Sequence, residues 1–187
     1  MPDPSSALNP TAERILAAAG EEFAAHGLAG ARVDRIAERA GANKQRIYAY
    51  FGSKDELFDR VMAERIGELL DTVPFDAEDL PGYAERLFVF TVERQDLARL
   101  LMWHVLERPG RLPLLEPGAS STAAKVAALA AAQASRSDID GTLPADRLLA
   151  QVLAVVHGAA MGVLGDVADP SALVADVRRS VARLVAP

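Results

Sequence analysis

The sequence predicts an all-α protein of about nine helices, in which a three-helix head precedes a larger helical body. Ala and Leu are abundant and aromatic residues make up only 5% of the 187 residues, a composition that favours helix over strand. Apolar residues recur three and four positions apart, and no segment shows the alternation of a half-buried strand. Helix-capping and helix-ending residues separate the segments, and there is no internal repeat.

The first three helices follow an aperiodic arm over residues 1–8. Asn9 and Pro10 are a typical helix start, because Asn caps free N–H groups and Pro lacks the N–H that this position leaves unbonded. Gly27 and Gly41 can each take the left-handed conformation that ends a helix. The three helices are predicted to span about residues 10–26, 33–40 and 43–51.

Six further helices are predicted in the body. Ser53 and Glu56 form a capping box at the start of the fourth helix, and Asp96 and Asp169 are caps of later ones. Residues 108–118 hold three prolines and two glycines, and we expect a loop there. The six helices are predicted to span about residues 53–71, 82–94, 96–107, 120–134, 144–165 and 170–185. The predicted domains are residues 1–52 and 53–187.

The composition indicates a soluble cytoplasmic protein. Cysteine is absent, so neither a disulfide framework nor thiolate chemistry is available. Residues 1–12 lack the basic start and apolar run of a signal peptide, and no apolar stretch approaches the roughly 18 residues of a membrane span. We therefore expect no membrane partner.

The charge of the chain is segregated. The net charge is −6, yet the segment from Ala31 to Lys54 carries +4, which leaves −10 for the rest of the chain. Because a phosphate backbone attracts basic surfaces, this segment is a candidate nucleic-acid surface. Its six basic residues are Arg32, Arg35, Arg39, Lys44, Arg46 and Lys54.

The second and third helices have the spacing of a helix-turn-helix. Ala37 allows the two helices to approach closely, Gly41 permits the turn between them, and Ile47 fills the space beneath their crossing. In such a motif the second helix enters the DNA major groove by its N-terminal residues.

The exposed face of the third helix has the chemistry of a DNA-reading surface. Arg can fork onto guanine and Gln onto adenine, so Lys44, Gln45 and Arg46 are predicted to reach base edges. Tyr48 and Tyr50 lie farther along and suit hydrogen bonds to phosphates. The alternative for the two tyrosines is partial burial in the core with only the hydroxyl in water.

The segment IAERAGANKQRIYAYFGSKDELF, residues 36–58, resembles the DNA-binding signature of the TetR family of one-component transcriptional regulators. The resemblance covers about residues 10–58, and beyond them only chain length and the helical pattern are similar. It implies a DNA-binding head, a helical body with a ligand cavity, and a homodimer held by the last two long helices.

The resemblance also implies roles for single residues. Tyr48, Tyr50 and Lys54 fall where the family contacts phosphates. Lys54 lies in the first turn of the fourth helix, where a cation gains nothing from the helix dipole unless an anion approaches. Arg32 replaces the usual Thr that caps the second helix, so we expect Arg32 to reach phosphate by its charge.

The body offers a candidate ligand pocket and no catalytic site. Ligand pockets combine apolar walls with a few polar groups, and Phe88, Trp103, His104 and His157 are the candidates, with ordinary core burial as the alternative. His104 and Glu107 could share a helix face, but the helix with His157 adds no nearby acid. No Ser-His-Asp pattern or Gly-rich phosphate loop is present, so we expect no enzyme, metal or cofactor.

The last two helices are candidates for a dimer interface. The eighth helix is apolar on nearly every face and rich in small residues, which suggests a four-helix contact between two chains, with an internal core helix as the alternative. The predicted interface residues are Val155, Ala159, Gly162, Val163, Val174, Val177 and Val181.

These features predict a homodimeric regulator, most simply a repressor, that a small molecule releases from a pseudo-palindromic operator. Two recognition helices about 34 Å apart would enter successive major grooves. The alternative is a helical scaffold or small-molecule-binding protein whose head does not bind DNA. The concentration of positive charge in the head favours the regulator.

Overall fold

The computed structural model of the chain describes residues 9–110, 116–162 and 170–187. The predicted all-α class is confirmed, since this part of the chain forms nine helices and no strand. The helices are α1 (Pro10–Gly30), α2 (Val33–Ala40), α3 (Lys44–Phe51), α4 (Lys54–Thr72), α5 (Leu80–Glu93), α6 (Gln95–Glu107), α7 (Gly118–Ser135), α8 (Ala145–Ala160) and α9 (Pro170–Val185). Within the described ranges, none of them is both long and apolar enough to cross a membrane.

The chain divides into two compact units. The N-terminal unit comprises Met1–Arg65 with Arg99–Leu115, and the C-terminal unit comprises Ile66–Ala98 with Glu116–Pro187. The boundaries of the units fall inside α4 and inside α6. The functional division after residue 52 stays a prediction.

An apolar core shared by α1, α2, α3 and the start of α4 holds the N-terminal unit together. The expected inward face of α1, formed by Ile15, Ala19 and Phe23, is fully buried. Phe23 meets Phe58 of α4 edge to ring with the centroids 5.0 Å apart, an arrangement that adds about 0.5–1.5 kcal/mol beyond the buried area. Ile47 is the one buried residue of α3, so it anchors this helix to the core.

The first helix extends beyond its predicted end at about His26. The backbone of Gly27 takes φ 68°, which breaks the helical path, and one more turn follows. The free N–H groups of Leu28 and Ala29 donate to the carboxylate of Glu107, at 2.6 Å and 3.3 Å. A Cβ at Gly27 would lie 2.9 Å from the ring of Trp103, so both conformation and space require glycine here. The prediction missed the extra turn because its cap comes from α6.

The C-terminal unit has a separate core. In it, α5 packs against α8 and α9, and α7 packs against α8. Leu87 and Phe88 of α5 are buried, as are Val152 and Val156 of α8 and Val181 of α9. The apolar faces of three helices therefore close this core within a single chain.

Three predicted helix boundaries in the C-terminal unit differ from the structure by two residues or more. Helix α7 begins at Gly118, two residues before its predicted start. Helix α5 begins at Leu80, two residues before the predicted start, because Asp79 caps it by accepting from the N–H of Gly82 at 2.9 Å. Helix α8 ends at Ala160. The predicted continuation over residues 163–165 and the predicted cap at Asp169 lie outside the described residues.

Candidate nucleic-acid interface

A glycine turn and a side-chain cap set the angle between α2 and α3. Gly41 takes the left-handed conformation at φ 60° and ψ 38°, and the N–H of Ala42 donates to the carbonyl of Ala37 at 2.9 Å. This bonding closes the end of α2 in a Schellman motif. Asn43 then starts α3, since its side chain accepts from the N–H of Arg46 at 2.8 Å. The predicted turn at Gly41 is confirmed.

Helix α3 presents nearly all of its surface to solvent. Lys44, Gln45 and Arg46 of its first turn are exposed. Tyr48 and Tyr50 are 46% and 43% exposed, which is more than partial core burial would leave. The segment therefore carries three flexible polar side chains at its N-terminus and two phenol hydroxyls beyond them, all able to reach a partner.

Lys44 of α3 pairs with Asp34 of α2, with its Nζ 2.6 Å from Oδ1. The hydrogen bond to Asp34 raises the pKa of Lys44, so this ammonium stays charged. Both side chains are at least half exposed, and exposed pairs of this kind contribute little to stability. A DNA phosphate or base edge can therefore take Lys44 from Asp34 at small cost.

A buried carboxylate beneath the interface supports the start of α2. The side chain of Glu22 in α1 is 1% exposed and accepts from the N–H of Arg32 at 2.9 Å and from Nε of Arg35 at 2.7 Å. Arg32 itself provides no side-chain cap for α2. Glu22 supplies an acceptor at this end of the helix instead. Arg39 pairs with Glu21 at 3.1 Å. Two of the basic residues thus face α1.

The charge state of Glu22 follows from these partners. Burial by itself raises the pKa of Glu22, but the hydrogen bonds from Arg35 and from the Arg32 N–H outweigh burial, and the pKa is lowered. The ion pair is therefore intact at neutral pH and holds α2 on α1. Glu22 is not among the predicted site residues, although an acid three residues after Ala19 on the apolar face of α1 is a visible signal.

Two further predicted contact residues lie at the junction of α1 and α2. The guanidinium of Arg32 is exposed, and no hydrogen bond or ion pair to it occurs within the described ranges. The ammonium of Lys54 is half-buried and donates to the carbonyl of Ala31 at 3.3 Å. Because an ammonium has three donors, this bond leaves Lys54 able to bind a phosphate as well.

The second half of α6 belongs to the N-terminal unit and is hydrogen-bonded to α1. Arg99 and Trp103 both donate to the carbonyl of Ala24, at 2.9 Å and 3.2 Å. These bonds satisfy a carbonyl that the break at Gly27 leaves without its helical partner. The polar tip of Trp103 is therefore engaged inside the N-terminal unit.

Arg108, the residue after α6, forms ion pairs with α4. Arg108 is buried and forms ion pairs with Asp55 and Asp59 on successive turns of α4, and its guanidinium lies 5.2 Å from the centroid of the Phe58 ring. A buried arginine needs such partners, because an unpaired charge inside a protein is costly. Contacts from α6 and its end thus determine where α1 and α4 lie in the unit that carries α3.

The four predicted pocket residues are distributed over both units. Trp103 and His104 belong to the N-terminal unit, and the ring of the buried His104 lies 5.8 Å from that of Phe58. Phe88 and His157 belong to the C-terminal unit, and burial lowers the pKa of His157. A common pocket for these residues stays a prediction. No group of three metal-ligating side chains that could hold an ion occurs among the described residues.

The predicted dimer residues fall into two groups. Val177 and Val181 are buried inside the C-terminal unit itself, so they serve its own core. The remaining described residues, Val155, Ala159, Gly162 and Val174, are partly exposed. Val163 lies outside the described residues. The dimer interface as a whole stays a prediction.

The chain is similar to known regulatory proteins along most of its length. Residues 15–61 match the family described as bacterial regulatory proteins, tetR family. Residues 79–186 match the tetracyclin repressor-like C-terminal domain.

Two relatives and one solved structure illustrate the similarity. The HTH-type transcriptional repressor SCO4008 of Streptomyces coelicolor is 42% identical over 150 residues, which cover 80% of this chain and 78% of that protein. The HTH-type transcriptional repressor NicS of Pseudomonas putida is 42% identical over 52 residues, 28% of this chain and 24% of NicS. The crystal structure of the protein SCO4942 of Streptomyces coelicolor has a TM-score of 0.79 at 36% identity, and the match covers 94% of this chain and 98% of that one.

Proposed function

Since the chain belongs to the TetR family of bacterial regulatory proteins, we propose that it is a homodimeric transcriptional repressor that a small molecule releases from a pseudo-palindromic operator. The family consists of transcriptional regulators rather than enzymes. The observation that carries the proposal is α3, which buries Ile47 and exposes Lys44, Gln45, Arg46, Tyr48 and Tyr50. The protein would act in the cytoplasm, where the DNA is.

In the proposed complex the first turn of α3 enters the major groove. Arg46 and Gln45 read base edges there, because their side chains match the hydrogen-bonding patterns of guanine and adenine. Tyr48, Tyr50 and Lys54 hold the flanking phosphates and fix the register. The proposed partner of α3 is duplex DNA and not a single strand, since an α-helix fits the major groove of a duplex.

Arg32 adds a phosphate contact in this complex. Its backbone N–H is bound by Glu22, so the exposed guanidinium is held at the edge of the same surface. Lys44 joins the contact by exchanging Asp34 for DNA. The rest of the chain carries net negative charge, which keeps other surfaces away from the phosphates.

The proposed dimer uses the partly exposed face of α8. A Cβ added at Gly158 would have no atom within 4 Å, so this position faces open space in the single chain, beside the partly exposed Val155 and Ala159. We expect Gly158→Glu to place a charge in the interface and yield a monomer in analytical ultracentrifugation. A Gly158→Glu chain that still sediments as a dimer would contradict this face.

Repression is proposed because SCO4008 is named a repressor. A ligand can shift DNA affinity only by binding the DNA-competent and DNA-incompetent conformations with different affinities. Glu107 is bonded to α1 and Arg108 to α4. Through these contacts a change in α6 would move α1 and α4, and α3 with them.

Arg46→Ala and Tyr48→Phe test the DNA surface. DNA would first be selected from a random-sequence pool by the full chain, and affinities would then be measured by fluorescence anisotropy at several salt concentrations. We expect both variants to bind more weakly, and Arg46→Ala also to lose preference for the selected sequence. Arg179→Ala, at an exposed position of α9, is the control.

The outcome against the proposal is clear. Undiminished binding by both variants would show that these residues of α3 do not contact DNA. If the pool yields no enriched sequence and binding does not depend on salt, the chain is instead a scaffold or small-molecule-binding protein without sequence-specific DNA binding.

A further inference from the structure

The C-terminal unit contains a cleft of about 280 Å³ between α7 and the end of α4 with the segment that follows it. Its walls are mostly apolar and include Leu70, Val73, Phe75, Ala124 and Ala128. None of the four residues predicted to form a ligand pocket lines it. Apolar walls exclude water from a bound molecule, so a polar group at this cleft decides which ligand is accepted.

Two polar residues of α7, Ser121 and Lys125, also line the cleft, and only Lys125 carries a charge. Its side chain is half-buried, its Nζ donates to the hydroxyl of Tyr83 at 3.2 Å, and it lies 5.5 Å from the centroid of the Tyr83 ring. Within residues 9–110, 116–162 and 170–187 no carboxylate forms an ion pair with it. Burial lowers the pKa of Lys125, because a desolvated ammonium without an anion is unfavourable.

Tyr83 does not neutralise this charge. Its ring is 1% exposed and packs edge to ring on Phe75 with the centroids 4.9 Å apart. Burial raises the pKa of Tyr83 to about 12, although nearby Arg86 opposes the shift. The phenol therefore stays neutral at physiological pH, and it orients the ammonium of Lys125 without supplying a counter-charge.

We propose that this cleft binds a small organic acid, with the carboxylate paired to Lys125 and an apolar body resting on Leu70, Val73 and Phe75. The cleft volume equals roughly nine water volumes of about 30 Å³ each, which fits a molecule on the order of ten non-hydrogen atoms. This inference rests on the proposed function for its consequence, since the acid would be the effector that changes DNA affinity.

The charge of the ligand follows from that of the site. A carboxylate gives Lys125 both an acceptor and a counter-charge, so the hydrogen bond between them joins two ionised groups. An amide of the same shape leaves the ammonium without a counter-charge, and an alkylammonium is repelled by it. The cleft therefore selects acids over neutral and cationic molecules of equal size.

Calorimetry on the full chain without DNA tests the site. The probes are octanoate and 3-phenylpropanoate, with octanamide and octylammonium as the neutral and cationic controls. We expect the acids to bind at least about tenfold more tightly than octanamide, a difference of about 1.4 kcal/mol. Lys125→Met should abolish this preference while leaving octanamide unaffected, and Lys125→Arg should keep it.

A second pair of variants tests the location. Ala128→Phe places a ring in the cleft and should weaken acid binding at least about tenfold. Ala127→Phe changes the adjacent exposed residue, which does not line the cleft, and should bind acids as the unaltered chain does. Circular dichroism of each variant verifies that the helices are retained.

The proposal is overturned if neither acid binds, if octanamide binds as tightly as octanoate, or if Lys125→Met keeps the preference for acids. Because these measurements contain no DNA, they are independent of the proposed function. A chain that binds no DNA but prefers acids through Lys125 would refute the regulator and support the cleft. The release of selected DNA by octanoate is then measured as the test of the effector role.

Discussion

Two lysines, Lys44 on the candidate DNA surface and Lys125 at the cleft, show how environment changes the use of one residue type. Lys44 is exposed and paired with an exposed acid, and its pKa is raised by that hydrogen bond. Lys125 is half-buried beside a neutral phenol, and burial lowers its pKa. An exposed lysine suits a polyanion, because the electrostatic attraction between them extends over a Debye length of about 10 Å at 0.1 M salt. A half-buried one suits a single anion at hydrogen-bond distance.

The largest effect is expected when the Glu22–Arg35 ion pair, which supports the candidate DNA surface from beneath, is broken. Glu22→Gln leaves Arg35 without its counter-charge. Breaking a buried ion pair costs about 3–5 kcal/mol, but Arg35 is partly exposed and can be rehydrated, so we expect a loss of about 2 kcal/mol in the free energy of unfolding. Urea denaturation measures it. Glu21→Gln, in an exposed pair with Arg39, is the control and should change stability by less than about 0.5 kcal/mol.

The pH dependence of this effect has a definite sign. Because the pKa of Glu22 is lowered in the folded chain, its contribution to stability is fully present above the unfolded-state value of 4.5 and is lost as pH falls through the folded-state value. The difference in stability between the unaltered chain and Glu22→Gln should therefore shrink below about pH 4.5. A difference that stays constant down to pH 3 would contradict the ion pair.

The next largest effect is expected at Arg46, which we propose reads a base edge. Arg46→Ala should weaken binding to selected DNA by about 1–3 kcal/mol and relax preference at one base position. It should leave acid binding at Lys125 unchanged, since the two sites lie in different units. Anisotropy and calorimetry on the same preparation measure both, and a loss in acid affinity would contradict their independence.

A smaller change is expected from neutralising the cleft lysine. Lys125→Met replaces a half-buried ammonium by an apolar chain, which removes an unfavourable desolvated charge but also a cation–π contact. We expect the free energy of unfolding to rise by about 0.5–1 kcal/mol. Denaturation without ligand measures this, and a clear loss of stability would mean that Lys125 is a structural residue.

The smallest effect on stability is expected at Lys44. Lys44→Met should leave the free energy of unfolding essentially unchanged, because an exposed ion pair contributes little. It should nevertheless reduce the slope of log affinity for DNA against log salt by about 0.9, the value for one phosphate contact. An unchanged salt slope would remove Lys44 from the DNA contact.

The local elements of the DNA-binding head could be predicted because their causes lie a few residues apart. The Asn43 side chain caps the N–H of Arg46 three residues later, and Ser53 Oγ accepts from Glu56 N–H at 3.1 Å over the same spacing. The left-handed Gly41 ends α2 as expected. Each of these features depends on residues within one helical turn, so the order of amino acids is sufficient to indicate it.

The supports of the head could not be predicted in the same way. Glu107 caps N–H groups of α1 from 79 positions away, and Arg108 pairs with Asp55 across 53 positions. No local spacing links such partners. The end of α1 and the bond from the Trp103 N–H to the carbonyl of Ala24 therefore could not be predicted from neighbouring residues.

The sequence by itself determined the all-helical class, the helix-turn-helix, the exposed basic helix and the family, because these follow from periodicity, capping and a short motif. Only the tertiary structure decided which charges are paired and which are not. Lys125 reads as an ordinary solvated lysine of an alanine-rich helix, and its site exists because Tyr83, 42 positions away, and the end of α4 fold against it. The physical reason is that burial and partnership depend on packing between helices, whereas helix formation depends on neighbours along the chain.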